Sequence, residues 1–380
     1  MAINHFRRFS DIGFLRCLNF ELLLTFLRRF EKYLTQKRSL KFDENLLSFQ
    51  YHHLVEILLT PDSDMPMELV EGLYFVHELA QKTPVETLYK RLETAGVFPP
   101  EHLPVEDLLL LTLIEKPDIL DCLHAEQYLV RPKKFETFFC RSDCSPTITD
   151  DTMRLVEAEL NEWFSTQRKG RGVRIFRFTR PDGLWFLVQH GKQLKCDFTH
   201  EDNGDSRRIV YRPGTFDVLC FLQEWGEFRI HTATKKEQKQ YSRLFGKHFF
   251  GDETFFQAEN DMRKFTLDPL KHLTRHSLSG AGIEGIKSVD LLELQLVHKV
   301  TGDLREIYRT DANLLEHLDT LAGRLTDNIN IVRATFRLTF EGDSKSRCIT
   351  VCTPNVTIYD RDVDGLLVDR WLKAKGLLIA

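Results

Sequence analysis

The chain has 380 residues, of which 42% are hydrophobic and 28% charged, and its net charge is −4. That balance suits a folded protein with room for two or three cores and excludes a disordered chain. It also excludes recognition of nucleic acid or membrane by bulk charge alone, while the 29 phenylalanines require aromatic-rich interiors.

Charge is segregated along the chain. Residues 1–41 hold nine Lys/Arg against three acids, and residues 42–150 hold eight against twenty. A basic start followed by an acidic body reads as one self-neutralising domain or as two contact faces. Residues 14–168 read as helical. Leu15, Leu18, Leu22, Phe26, Phe30 and Leu34 recur at spacings of three and four, which predicts one helix face. Further helices are expected at 45–60, 66–82, 84–96 and 104–115, with breaks at Pro61, Pro84, Pro99-Pro100 and Pro117. The segment 128–147 reads as irregular. Thr149-Asp150-Asp151 offers caps for a helix reaching about Gln167.

Strands take over at Val173. Val173–Thr179 and Leu184–Gln189 flank Arg180-Pro181-Asp182-Gly183, a strong hairpin turn. Glu201–Ser206 reads as a polar loop and Ile209–Tyr211 as a short strand. Three units of one plan follow, each a strand pair and then an amphipathic helix. They span Phe216–Ile230 with a helix from about Thr234, Val289–Tyr308 with a helix from about Asp311, and Val332–Ile358 with a helix from about Asp362. The units share a plan, not residues. Residues 252–288 read as a connection. The expected fold is therefore α+β, with a helical domain over 1–147 and α+β domains over 148–260 and 261–380. The hairpin–helix (ββα) units form one or two antiparallel sheets with helices on one side.

Eight dispersed cysteines, and no apolar run long enough for a signal or a membrane span, point to free thiols in a reducing cytoplasm. Cys140/Cys144 and Cys348/Cys352 are Cys-x₃-Cys pairs. Their spacing is off the usual zinc pattern, and packing is the simpler reading. Cys348 and Cys352 are expected on one face of a strand.

Asp217, then Glu227-Phe228-Arg229 on the next strand, resembles the metal-binding hairpin of PD-(D/E)xK nucleases. The resemblance implies Mg²⁺ held by Asp217 and Glu227, with a cation steadying the transition state. Arg229 departs from the family's lysine, since Arg cannot give up a proton near neutral pH, and Phe216 departs from its proline. The alternative reading of Arg229 is a cross-strand ion pair.

Two basic clusters point elsewhere. Arg168, Lys169, Arg171 and Arg174 run from a loop into a strand, where charges interleave with aromatics. Lys235, Lys236, Lys239 and Arg243 lie on the helix after the first hairpin. Together they could hold a phosphate backbone. The functional expectation is a non-catalytic interaction or nucleic-acid-associated subunit of a cytosolic multiprotein assembly. Accessory subunits of bacterial antiviral defence or mobile-element systems are the class in view. Protein partners are expected, nucleic acid is a further candidate, and no membrane or cofactor is. The alternatives are a Mg²⁺-dependent nuclease and a pure protein scaffold.

Overall fold

The computed structural model describes residues 10–42, 50–62, 64–129, 132–141, 145–200, 206–257, 263–272, 278, 283–299, 304–317, 325–342, 346–360 and 365–379. The chain forms two compact units, Met1–Gln127 and Tyr128–Ala380.

The first unit is helical: α1 Ile12–Cys17, α2 Phe20–Arg28, α3 Glu31–Gln36, α4 Tyr51–Leu59, α5 Met67–Ala80, α6 Val85–Thr94, α7 Val105–Glu115 and α8 Pro117–Glu126. The periodic face Leu15–Leu34 does point inward, but three short helices carry it instead of one. Asn19 makes the first break. Its side chain caps α2 by accepting from the Glu21 and Leu22 N–H groups, and its own N–H donates to the buried Asp107 carboxylate. Pro84 and Pro104 stand just before their helices, and Pro117 opens α8.

The second unit is built on one antiparallel sheet. Its strands are β1 Lys134–Cys140, β2 Arg174–Arg180, β3 Gly183–Gly191, β6 Gly214–Leu222, β7 Glu227–His231, β8 Phe256–Gln257, β9 Ile286–His298, β10 Leu304–Arg309, β11 Ile329–Phe340, β12 Ser346–Cys352 and β13 Val356–Ile358. They run in the order β10-β9-β11-β12-β13-β1-β7-β6-β3-β2, with β8 also on β1. Between β3 and β6 in sequence, β4 Lys195–His200 and β5 Ser206–Tyr211 pair as a separate ribbon. All three predicted hairpins thus join a single sheet, which runs across the expected boundary at 260. Segment 128–147 supplies β1, a strand inside the sheet, where an irregular stretch was expected.

Helices cover both faces of this sheet, not one. Phe138, Phe186, Leu219, Phe221 and Phe228 pack with α9 (Asp150–Thr166) and α10 (Lys235–Phe250). Ala334, Phe336, Leu338 and Val351 pack with α11 (Gly365–Ala374). Phe135 pairs with Thr357, and Thr357 with Val351, so Phe135 faces the α11 side. Phe138, three residues on, faces the other. The reason lies in the sequence: both faces of the central strands are apolar and each needs a cover. Of the three helices expected after the hairpins, the one from Asp311 shows a 3₁₀ turn at Leu314–His317, and residues 318–324 lie outside the described ones.

Candidate functional site

Asp217 and Glu227 do not meet. On the β6–β7 hairpin Leu222 pairs with Glu227 and Phe221 with Phe228. Paired residues share a face, and Asp217 is five positions from Leu222, an odd number, so the two acids point to opposite sides of the sheet. A single Mg²⁺ cannot bridge them, which corrects the nuclease-like reading of this hairpin. Each acid instead anchors its own buried polar cluster.

The first cluster lies between the sheet and α10. Asp217 accepts from Tyr241 Oη at 2.7 Å and pairs with His190 Nε2 at 2.9 Å. His190 Nδ1 lies 3.0 Å from the Gly191 carbonyl, and the ring stacks on Phe164. Burial, and then the Asp217 charge, push the Tyr241 phenol well above its ordinary range. Next to them Glu237 closes the capping box of α10. Its Oε2 accepts from Thr232 Oγ1, Thr234 Oγ1 and the Thr234 N–H at 2.8–2.9 Å, and Oε1 accepts from Lys169 Nζ. Burial raises this carboxyl, but Lys169 and the threonines outweigh it and hold it below its ordinary value.

His190, Asp217 and Glu237 offer ligand atoms within 4.8 Å of one another. The donor set would suit a divalent ion only if the Lys169 ammonium left and Tyr241 turned away. As it stands, each of the three has hydrogen-bond partners and a cation already occupies the site, so the arrangement reads as a satisfied polar core. Asp217→Ala would strand the buried Tyr241 hydroxyl and His190 together. The expected loss is about 2–3 kcal/mol of unfolding free energy in urea titration, of the size typical for orphaned buried groups.

The second cluster lies on the α11 side. Arg229 Nε donates to Glu227 at 2.8 Å and its NH2 to Asp369 at 2.9 Å. Lys264 Nζ donates to Glu227 at 2.6 Å, and Tyr359 Oη to Asp369 at 3.0 Å. All five side chains are buried. Two cations face two carboxylates, so charge balances. The cross-strand ion-pair reading of Arg229 therefore describes part of a larger network, and Arg229 is not placed to touch a substrate.

The basic residues behave differently. Lys169 ties the loop 168–171 to the first turn of α10 through Glu237. Around that pin Arg168, Arg171, Lys235, Lys236 and Lys239 are exposed. Among the described residues Lys235, Lys236 and Lys239 make no ion pair, whereas Arg171 pairs with Glu162, and Arg243 with Glu253 and Glu159. Arg243 and Arg171 border a shallow cleft of about 770 Å³ between α9 and α10, beside Trp163. Arg174, on the edge strand β2, lies over the Phe176 ring. The two predicted clusters therefore meet at one junction, with Arg174 and Arg243 at its margins.

Cys348 and Cys352 do share a strand face, but their cross-strand partners are Arg337 and Arg333, poor company for a metal. Cys144 lies outside the described residues. Sequence reasoning missed His190, Tyr241, Lys264 and Asp369. The signal for His190 and Tyr241 lies in position: each is a polar residue on an otherwise apolar face.

No protein-family model matches this chain, and no curated protein matches it.

Proposed function

We propose that the chain is a non-catalytic, nucleic-acid-associated subunit of a multiprotein assembly, holding a phosphate backbone at the junction of loop 168–171 and α10. One observation carries this reading. Among the described residues, Lys235, Lys236 and Lys239 stand exposed and form no ion pair, at the N-terminal end of α10. A helix N-terminus is already positive, so lysines there cost stability instead of adding it. A bound anion removes that cost, and the same helix end favours phosphate. The loop adds Arg168 and Arg171 beside them. The buried acids act as scaffolding, since Glu237 and Asp217 fix the loop and the helix against the sheet.

Lys235→Glu with Lys239→Glu tests the assignment. In fluorescence anisotropy with a labelled oligonucleotide the double variant is expected to bind about tenfold more weakly, with thermal stability equal or slightly higher, since acids suit a helix N-terminus. Equal affinity in the two proteins contradicts it.

A further inference from the structure

The nucleic-acid reading leaves open which form of nucleic acid is bound, and the β4–β5 ribbon bears on that. β3 and β6 pair from Leu184–Phe221 to Gly191–Gly214, so the chain between them leaves the sheet at its end. It carries its own two-stranded ladder, from Lys195–Tyr211 to His200–Ser206. Neither strand belongs to the main sheet.

The surface of this arm is unusual. Phe198 is 71% exposed and Val210 64%, and Leu194, Ile209 and Tyr211 are exposed as well. Arg208 is the cross-strand partner of Phe198, and Val210 lies two residues on, so all three share one face. Phe198 and Val210, exposed side by side, form an apolar patch beside a cation.

The root of the arm is fixed to the basic loop. Arg212 donates to the Arg168 carbonyl at 2.5 Å and to the Lys192 carbonyl at 2.8 Å. The approach is so close that a Cβ on Gly170 would lie 2.6 Å from Arg212 Nε, and one on Gly191 2.5 Å from Lys169 O. The arm therefore continues the surface on which Arg168 and Arg171 stand.

The pairing of an aromatic ring with a cation selects the occupant. Over residues 192–212 the sequence carries Lys192, Lys195, Arg207, Arg208 and Arg212 against Asp197, Glu201, Asp202 and Asp205, a small positive excess. Asp197 is already held by Lys195 at 2.8 Å and by the Tyr211 hydroxyl at 2.6 Å. A face that sets Arg208 beside Phe198 and joins a phosphate-binding loop complements a strand whose bases are unstacked. A duplex hides its base faces, whereas a single strand offers them for stacking.

We infer that the β4–β5 arm is a stacking surface for single-stranded nucleic acid, with a base on Phe198 and the adjoining phosphate on Arg208. The inference rests on the phosphate-binding reading of the loop and α10. It adds single-strand selectivity and a residue that confers it.

The test is fluorescence anisotropy of the full chain with a labelled single strand of about 20 nucleotides and with the matching duplex, a length of at least one such binding site. The wild type is expected to prefer the single strand. Phe198→Ala is expected to weaken single-strand binding roughly ten- to a hundredfold, the range of one lost base stack. Duplex binding, the salt slope and the melting temperature should stay unchanged, because Phe198 supports no core. Unchanged single-strand affinity in Phe198→Ala, with Lys235→Glu/Lys239→Glu still impaired, overturns the arm's role and leaves the phosphate site standing. Equal affinity of the wild type for duplex overturns the selectivity. No binding of either probe by the wild type overturns both readings. If Phe198→Ala instead abolishes self-association or capture of a protein and leaves oligonucleotide binding intact, the arm is a protein-docking element and the inference fails.

Discussion

Arg229→Met is expected to destabilise the C-terminal unit by about 3–5 kcal/mol, the usual cost of breaking a buried ion pair from one side. Arg229 touches both carboxylates of its cluster, Glu227 at 2.8 Å and Asp369 at 2.9 Å. Lys264 still neutralises Glu227 when the guanidinium is removed. Asp369 keeps the Tyr359 hydroxyl but loses the guanidinium that donates to it. Burial works against the Arg229 charge, yet the two carboxylates outweigh it and raise the group well above its ordinary value. Asp369→Asn in the Arg229→Met background should recover part of the loss, because it removes the buried carboxylate charge that Arg229 had faced. Urea unfolding of the two single variants and the double variant reads this coupling. Strict additivity would show that Arg229 and Asp369 are not linked as described. The cluster is a structural feature, so none of these variants is expected to alter binding except by unfolding the protein.

The largest pH effect is expected at Lys264. Burial is the chief cause of its depressed pKa, the Arg229 charge adds to it, and Glu227 and Asp369 offset only part, leaving the ammonium at about 8 instead of 10.5. Below pH 8 the lysine is charged in both the folded and the unfolded chain. Between about 8 and 10.5 the unfolded chain holds a proton that the folded protein has released. Stability contributed by this group therefore rises with pH across that window, the reverse of a lysine stabilised by its partner. The full span is on the order of 3 kcal/mol, from about 1.4 kcal/mol per pKa unit. Lys264→Met lacks this slope. Unfolding free energies of both proteins from pH 7 to 10 should show the wild type gaining on the variant. Parallel curves would mean that Lys264 titrates normally.

Features with local chemistry are legible in the sequence. Arg180-Pro181-Asp182-Gly183 fixes the β2–β3 hairpin, and Arg180 indeed pairs with Gly183. Thr149 caps α9 as its side chain predicts. β1 is not legible, because its partners β7, β8 and β13 all lie far along the chain and no turn announces them. β4 escapes notice for another reason. Its side chains serve no core, so Lys195–Phe198 shows no buried face to betray a strand. The separation of Asp217 from Glu227 was readable in principle. A hairpin turning at Glu224-Trp225-Gly226 fixes which residues oppose each other, and side-chain alternation then fixes the face. Lys264 carries no such signal. It lies in an irregular segment, and only the fold brings Glu227 and Asp369 to it.

A phosphate backbone held at the loop–helix junction would be released by salt. Affinity of the wild type for a labelled oligonucleotide should be measured at several salt concentrations. The exposed cations Arg168, Arg171, Lys235, Lys236 and Lys239 together predict that log K falls linearly with log salt. The slope is expected to be roughly −3 to −4, given about 0.7 per neutralised phosphate on a single strand. In Lys235→Glu/Lys239→Glu the slope should be shallower by about one or more. A salt-independent affinity, or no measurable binding at low salt, would mean that the junction holds no phosphate backbone.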